Sequence, residues 1–256
     1  MKIIACIKQV PDSEAKVTAA DGKVSWGDAP LVINPFDEYA VEGALQQKEA
    51  AGGTVTALCI GPESAKEALK HALAMGADEA ILVSDPALEN LDTVGAARVL
   101  AAAIQKIGGA DMVVFGRQTL DNGAGLTPAQ TARVLGWPML GLAGSIKVEG
   151  GSVTVERVLE EGRQSMKANL PAVLSVVQSI GEPRYPSFMG IRKASKANIP
   201  LWSLSDLGAS APAPMVTRTE LMNPPAQQAV TEMITGESAA EIAEKLADKI
   251  IAEKVL

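Results

Sequence analysis

A glycine-rich loop near the middle of the chain has features suited to binding a phosphate group. Met112–Gly116 has the apolar character of a buried strand, and small residues follow it up to a helix predicted to begin near Thr127. Backbone N–H groups and the positive end of a helix dipole attract anions, and glycines let an anion approach the main chain closely. The loop contains neither GxGxxG nor GxxxxGK(S/T), so its sequence does not identify a ligand. A tight connection between the strand and the helix, without a ligand, is an equally good interpretation.

Residues able to catalyse a reaction are scarce. His71 is the single histidine of the chain, and helical spacing places it with Glu67 and Lys70, off the apolar stripe, so we expect a solvated side chain. The patterns GxSxG, HExxH and CxxC are absent, which leaves serine hydrolase, zincin and thioredoxin-like chemistry without support. We therefore predict a binding or carrier protein with no catalytic residue and no metal site.

Charge and composition exclude several partners. The 256 residues carry a formal net charge of −7, which argues against nucleic acid or an anionic membrane, because both require a clustered basic face. Cys6 and Cys59 lie within apolar runs, where reduced cysteines act as small hydrophobic residues. No apolar stretch approaches the ~20 residues that span a bilayer. We expect a cytoplasmic protein that does not span a membrane.

The first 140 residues alternate between short apolar runs and longer segments of helical period. Continuous apolar runs are typical of strands buried on both faces, and their alternation with helices predicts an α/β fold with a parallel sheet. In such sheets ligands bind at the carboxyl ends of the strands, near a topological switch. Strands are predicted at Lys2–Lys8, Thr54–Ile60, Glu79–Ser84 and Met112–Gly116, and helices near Phe36–Ala51, Glu63–Met75 and Thr93–Ile107.

The pattern changes after Pro138. Ser145–Glu149 and Ser152–Val158 alternate with period two around a Gly-Gly turn, which predicts a β-hairpin, and Ala172–Val177 returns to buried character within the same domain. Residues 181–225 are proline-rich without a period, too long for an internal loop, and an amphipathic helix is predicted at Ser238–Glu253. This arm and helix either wrap a partner subunit or fold back onto their own sheet.

Five separated segments, in this order along the chain, resemble the β subunit of electron transfer flavoprotein. They are Met1–Asp12, Asn34–Glu42, Ala72–Asp78, Gly116–Gln118, and Glu182–Tyr185 followed by Gly190–Ala194. The resemblance runs from Met1 to about Gly208. It implies a Rossmann-like, adenine-nucleotide-binding domain over residues 1–208, with the added hairpin and a partner-recognition loop at about 182–196. Residues 209–256 would form an arm and helix that pack on an α subunit.

The resemblance also implies a function and its cofactors. The α subunit would carry the redox FAD, shared with this noncatalytic chain, and the heterodimer would carry electrons from acyl-CoA-type or other flavin dehydrogenases to a quinone reductase or another acceptor. This chain would hold structural AMP or, in the electron-bifurcating branch, a second FAD. Gly125–Pro128 matches the usual loop of neither group, so both nucleotides stay open. A standalone stress-response-type nucleotide-binding protein, stable as a monomer, is an alternative of another class.

Site residues follow from the same resemblance. Asn34 would turn its amide toward the ligand, although an Asn-Pro helix start is a competing interpretation. Phe188 would be an exposed anchor for a partner dehydrogenase, with neighbouring charges that assist encounter, unless it is an ordinary buried aromatic. The implied cofactor-binding residues are Cys6, Asn34, Ile60, Asp92, Thr93, Gly116, Gly123, Ala124, Gly125, Leu126 and Thr127. The implied docking residues are Arg184, Tyr185, Phe188, Arg192 and Lys193.

Overall fold

The described residues of the chain fold around a nine-stranded sheet flanked by helices. In chain order the strands are β1 (Lys2–Ile7), β2 (Gln9–Pro11), β3 (Thr18–Ala20), β4 (Lys23–Ser25), β5 (Leu31–Ile33), β6 (Thr54–Ile60), β7 (Glu79–Val83), β8 (Met112–Gly116), β9 (Met139–Glu149), β10 (Ser152–Leu159), β11 (Gly162–Asn169), β12 (Ala172–Val176) and β13 (Leu201–Trp202). The helices are α1 (Pro35–Ala51), α2 (Lys66–Met75), α3 (Thr93–Lys106), α4 (Thr127–Leu135), α5 (Phe188–Ala194) and α6 (Ala239–Ala252).

The computed structural model describes residues 1–217, 219–225 and 230–254. These residues form two units, Met1–Leu221 and Met222–Leu256. Parts of the predicted arm, at residues 218, 226–229 and 255–256, lie outside the described residues. The sheet and its flanking helices α1 to α5 belong to the first unit, and α6 belongs to the second.

The order of the strands creates a topological switch at the centre of the sheet. The order is β11-β10-β9-β12-β8-β1-β6-β7-β13, and every pair from β9 to β13 is parallel. From β1 the chain moves outward on one side through β6 and β7, and it then returns to the other side of β1 as β8. The carboxyl ends of β1 and β8 therefore flank a crevice, and the predicted α/β fold with a parallel sheet is confirmed.

The central strands are apolar throughout because both faces of the sheet are covered. Ile3 and Ala5 of β1 pack in one buried cluster with residues of α1 and α2, including Leu45. Ile4 and Cys6 point to the opposite face, where the cluster includes residues of α3 and α4. Side chains alternate between the two faces of a strand, so each layer of helices receives every second residue.

The structure adds elements that the sequence pattern did not predict. The predicted hairpin is present as β9 and β10, and β11 extends it to a three-stranded antiparallel arrangement at the edge of the sheet. The stretch 181–225 is not wholly irregular, because it contains α5 and β13. β11 lacks β-branched residues, and most of its side chains are exposed, so the hydrophobic pattern carried little signal there.

The C-terminal helix agrees with its prediction to within one residue at each end. Ser238 caps α6 by accepting a hydrogen bond from the Glu241 N–H group. None of its residues is buried, and Ile242, Leu246 and Ile251 are exposed. No helix among the described residues is long and apolar enough to cross a bilayer.

Candidate functional site

A cavity of about 940 Å³ lies at the switch point of the sheet. Residues that follow the central strands line it, among them Lys8 after β1, Gly61 after β6, Ser84 after β7 and Gln118 after β8. Clefts of this size, with a largely apolar wall and a few polar groups, hold cofactors and other small molecules. The cavity lies where the parallel sheet predicts a ligand, outside the carboxyl ends of its strands.

Most of the implied cofactor-binding residues meet in this cavity. Those in its wall are Cys6, Ile60, Asp92, Thr93, Gly116, Ala124, Gly125 and Thr127. Asn34, Gly123 and Leu126 lie outside the lining. Residues 92 and 125 are far apart in sequence, so the fold brings separate segments of the chain to one site.

The amino end of α4 opens into the cavity without a side-chain cap. Leu126 occupies the capping position, and its side chain cannot accept a hydrogen bond. The Gln130 N–H group donates to the Leu126 carbonyl over 3.0 Å, so the N–H groups of Thr127 and Ala129 precede the helical ladder. Pro128 has no N–H group to offer. These free donors and the helix dipole favour an anionic group such as a phosphate.

Hydrogen bonds within the loop shape this anion site and use some of its donors. The Gly123 N–H group donates to the Thr119 carbonyl over 2.9 Å, and the Ala124 N–H group donates to Asn122 Oδ1 over 3.0 Å. Gly125 has a φ of +62°, a left-handed conformation that glycine adopts without strain. The N–H group of Gly123 is therefore used within the turn, whereas the N–H groups at the start of α4 remain for a ligand.

Asn34 supports the loop from behind instead of facing the cavity. Its side chain is fully buried, Nδ2 donates to the Gln118 carbonyl over 2.9 Å, and Oδ1 accepts from the Leu120 N–H group over 3.1 Å. Its side chain makes no capping bond to α1 either. This corrects the expectation that the amide faces the ligand, because both amide atoms hold the chain that follows β8.

Asp37 lies in the cavity wall and was not identified from the sequence. It is 5% exposed, and Oδ2 accepts from the Lys8 N–H group over 2.8 Å. Burial raises the pKa of Asp37 to about 7, although hydrogen bonds from Asn34, Lys8 and Gly116 oppose this shift. An acidic residue in the first turn of a helix is ordinarily explained by the helix dipole, so its sequence position gave no sign of burial.

Asp92 holds two parts of the protein together at the edge of the cavity. Its Oδ1 accepts from the Gly95 N–H group over 2.7 Å and caps α3, while Oδ2 accepts from the N–H groups of Met215 and Val216 over 2.6 and 3.0 Å. These bonds, led by the one from Gly95, lower the pKa of Asp92. The Asp92 carboxylate is thus already bound by the protein. Of the two neighbouring implied residues, Thr93 is therefore the one whose side chain is more available to a ligand.

Both cysteines are reduced and buried, and Cys6 lines the cavity. Burial raises the pKa of Cys6 well above its ordinary value and that of Cys59 to about 12, so both thiols are neutral at physiological pH.

His71 is partly exposed and contacts Glu38 at 2.8 Å. Within the described residues, no three His, Cys, Asp or Glu side chains are grouped so that they could hold a metal ion.

The implied docking residues lie around α5, and their environments differ. Phe188 is 79% exposed and Tyr185 is 91% exposed, as an anchor for a partner requires. Arg192 and Lys193 are also exposed. Arg184 is different, because Glu42 and Glu49 of α1 bind its guanidinium group.

The parallel sheet, the cavity at its switch point and the uncapped helix define an α/β protein with a cavity of nucleotide size at the carboxyl edge of its sheet. The model of the electron transfer flavoprotein domain matches residues 26–207, most of the chain. The chain therefore belongs to the electron transfer flavoprotein family.

Named relatives place the chain among the β subunits of that family. The electron transfer flavoprotein β subunit of Mycobacterium tuberculosis is 41% identical over 216 residues, which cover 82% of this chain and 81% of the relative. Subunit CarD of the caffeyl-CoA reductase-Etf complex of Acetobacterium woodii is 36% identical, with 98% of both chains covered. The β subunit of Megasphaera elsdenii is 33% identical over the full length of both.

Proposed function

We propose that this chain is the β subunit of a heterodimer that carries electrons from flavin dehydrogenases to a quinone reductase or another acceptor. Its own cavity holds an adenine nucleotide, and the FAD that supplies the redox chemistry is shared with an α subunit. We retain the reducing, cytoplasmic setting expected from the two unpaired cysteines as part of this proposal. The standalone stress-response alternative is set aside because the chain belongs to a family of heterodimer subunits.

The observation that carries this proposal is the open amino end of α4 at the rim of the cavity. A nucleotide needs a donor-rich end for its phosphate and an apolar slot for its base. The N–H group of Thr127, which lines the cavity, and the positive end of the α4 dipole supply the first. The apolar wall supplies the second, through Cys6, Leu100 and Phe115. The residues present therefore fit an adenine nucleotide.

The test is to purify the chain with its α partner, denature the complex and identify the released nucleotides. We expect one AMP and one FAD per heterodimer. Release of no adenine nucleotide beyond the FAD of the α subunit would overturn the proposed role of the cavity.

A matched pair of variants locates the nucleotide within the complex. Ala124 is exposed at the rim and lines the cavity. Ala124→Glu places a negative charge near the proposed phosphate position, whereas Ala124→Gln adds a side chain of the same size without charge. We expect the Glu variant to lose nucleotide and the Gln variant to retain it, because like charges repel in a partly dehydrated site. Equal retention by both variants would place the phosphate elsewhere.

A second FAD in this cavity is the other candidate, and two observations favour it. The cavity volume of about 940 Å³ lies near the upper end of the range for small-molecule sites. The CarD relative aligns over 98% of this chain, and its name places it in a reductase complex. Two FAD and no AMP per heterodimer would establish this version, in which the complex bifurcates electrons, and would exclude the simple carrier.

Phe188 is the proposed anchor for the donor dehydrogenase. Large, exposed aromatic residues often contribute the main contact of a transient interface. We expect Phe188→Ala to raise the KM for the dehydrogenase while the nucleotide content stays the same. Val134→Ala removes an apolar side chain that is 46% exposed on α4, and it provides the control. Equal KM values for both variants would exclude Phe188 as the anchor.

The C-terminal helix is proposed to bind the α subunit. Ile242, Leu246 and Ile251 are exposed on α6, and their burial against a partner would be favourable by roughly 25 cal/mol per Å² of apolar surface. We expect the chain truncated after Leu221 to co-purify with less α subunit than the full chain does. Unchanged recovery of the α subunit would show that the helix has another role.

A further inference from the structure

The segment that leads into the proposed docking loop is bound to a polar face of α1. Glu42, Gln46 and Glu49 lie at positions i, i+4 and i+7, which share one side of a helix. Gln46 Nε2 donates to the Ile180 carbonyl over 3.1 Å. The same face then binds Arg184, four residues further along the chain. These contacts join parts of the sequence more than 130 residues apart.

Arg184 makes a fork-shaped ion pair that uses most of its donors. Nε donates to Glu42 Oε2 over 2.8 Å, Nη2 donates to Glu42 Oε1 over 3.0 Å, and the Arg184 backbone N–H group donates to Oε2 over 3.1 Å. Nη1 donates to Glu49. The Glu42 side chain is only 7% exposed. Burial alone would raise the pKa of Glu42, but the bonds from Arg184 and Gln46 outweigh it and lower that pKa.

A close backbone contact fixes the far side of the loop. A Cβ atom at Gly190 would lie 2.3 Å from the Ala74 carbonyl of α2, so only glycine allows α5 to lie this close. Ser187 caps α5 through the Gly190 N–H group over 2.9 Å, and Ala194 is buried. The loop is therefore held by α1 before Tyr185 and by α2 at Gly190. The exposed side chains of Tyr185 and Phe188 lie between these two attachments.

We propose that Arg184 is a positioning residue that fixes the docking loop on α1, and that it does not itself contact the partner; this rests on the proposed docking function. Its single positive charge faces two carboxylates, so this part of the surface presents no net positive charge to a partner. A loop held in its binding conformation loses less entropy on association than a mobile one. Arg184 thus contributes to docking through the placement of Phe188.

The experiment compares Arg184→Lys with wild type in the heterodimer with the α subunit. Lysine keeps the charge but cannot form the fork. We expect amide hydrogen exchange at Gly190, Ile191 and Ser195 to accelerate about tenfold, because these groups depend on the ordered loop. Arg163→Lys, on the exposed edge strand β11, is the control and should leave exchange at these amides unchanged.

Kinetics with an acyl-CoA dehydrogenase that reduces the wild-type heterodimer complete the test. Arg184→Lys should raise the KM for that dehydrogenase and leave kcat unchanged. Glu49→Gln should act through the same contact, so the effects of the two substitutions should not add. Unchanged exchange, an unchanged KM or strictly additive effects would overturn the positioning role. A wild-type heterodimer that accepts no electrons from any dehydrogenase would instead overturn the proposed function, and the exchange rates would still report on the attachment.

Discussion

Gly116 and Asp37 lie so close together that no side chain fits between them. A Cβ atom at position 116 would lie 2.5 Å from Asp37 Oδ1 and 2.5 Å from the Phe36 carbonyl. The end of β8 thus packs directly against the first turn of α1, on the wall of the cavity. Glycine is required here for close approach of the backbone and not for an unusual φ.

Gly116→Ala should destabilise the protein and reduce its nucleotide content. The methyl group would force β8 and α1 apart, and overpacking of this kind typically costs about 1–3 kcal/mol. Gly141→Ala is the matched control in a strand, because its Cβ would meet Met139 and Ser175 at an ordinary 3.5 Å. Urea unfolding and nucleotide analysis check both variants. Equal stability of the two would show that the structure can relax around residue 116.

Asp37 should make the folded state less stable as the pH rises from 5 to 8. Its pKa is about 7 in the folded protein and 3.8 as the ordinary value. At a pH between these two pKa values, Asp37 is ionised in the unfolded chain and protonated in the folded protein. Its contribution to the free energy of unfolding is therefore fully present below pH 3.8 and is lost as the pH rises through 7. The free energy of unfolding of Asp37→Asn, relative to that of wild type, should therefore rise by about 2–3 kcal/mol between pH 5 and pH 8. Urea unfolding at both pH values measures the difference, and a constant difference would show that Asp37 is ionised throughout.

The fold was predictable because its strands and helices carry strong periodic patterns. Lys2–Ile7 and Met112–Gly116 are continuous apolar runs, and such runs directly reflect a sheet covered on both faces. β11 and α5 were missed since both are exposed and short or polar. Hydrophobic periodicity reports burial, and it therefore says little about elements at the edge of the fold.

The site was only partly predictable, for a different reason. The loop before Thr127 was recognisable from its small residues, and the structure places most of the implied residues around one cavity. The partners of polar side chains depend on long-range contacts that a local pattern does not contain. Asn34 binds the loop 84 residues away, and Arg184 binds α1 at a separation of 142 residues. The residue types at these two positions indicated that the side chains make polar contacts, but not which parts of the chain they bind.

Asn34→Ala should weaken both the fold and nucleotide retention. It leaves the Gln118 carbonyl and the Leu120 N–H group without their buried partner, and each unsatisfied group costs about 1–3 kcal/mol. We expect a total loss of about 2–4 kcal/mol in urea unfolding, with nucleotide released more readily because the loop is no longer held. Asn122→Ala, which removes an exposed acceptor in the same loop, should change stability by less than about 1 kcal/mol. Similar losses in both variants would contradict the supporting role of Asn34.

Asp92→Asn should release the first residues of the arm while preserving the cap of α3. The amide oxygen can still accept from Gly95, but its NH₂ group would face the donor groups of Met215 and Val216. Faster amide exchange at residues 215 and 216 is expected, with α3 unchanged. Since the pKa of Asp92 is lowered, wild type should keep this contact at neutral pH and lose it only as the pH falls through that lowered value.

Asp85→Asn is the reciprocal control for this last prediction. Asp85 accepts from the N–H groups of Ala87 and Leu204, so it joins a short turn after β7 to the segment after β13 in the way that Asp92 joins α3 to the arm. Its substitution should speed exchange at residue 204 and leave residues 215 and 216 as in wild type. If residues 215 and 216 exchange equally fast in wild type and in Asp92→Asn, the carboxylate does not hold the arm. Acceleration in both variants would instead indicate a general loosening around the cavity, because each substitution would then act beyond its own hydrogen bonds.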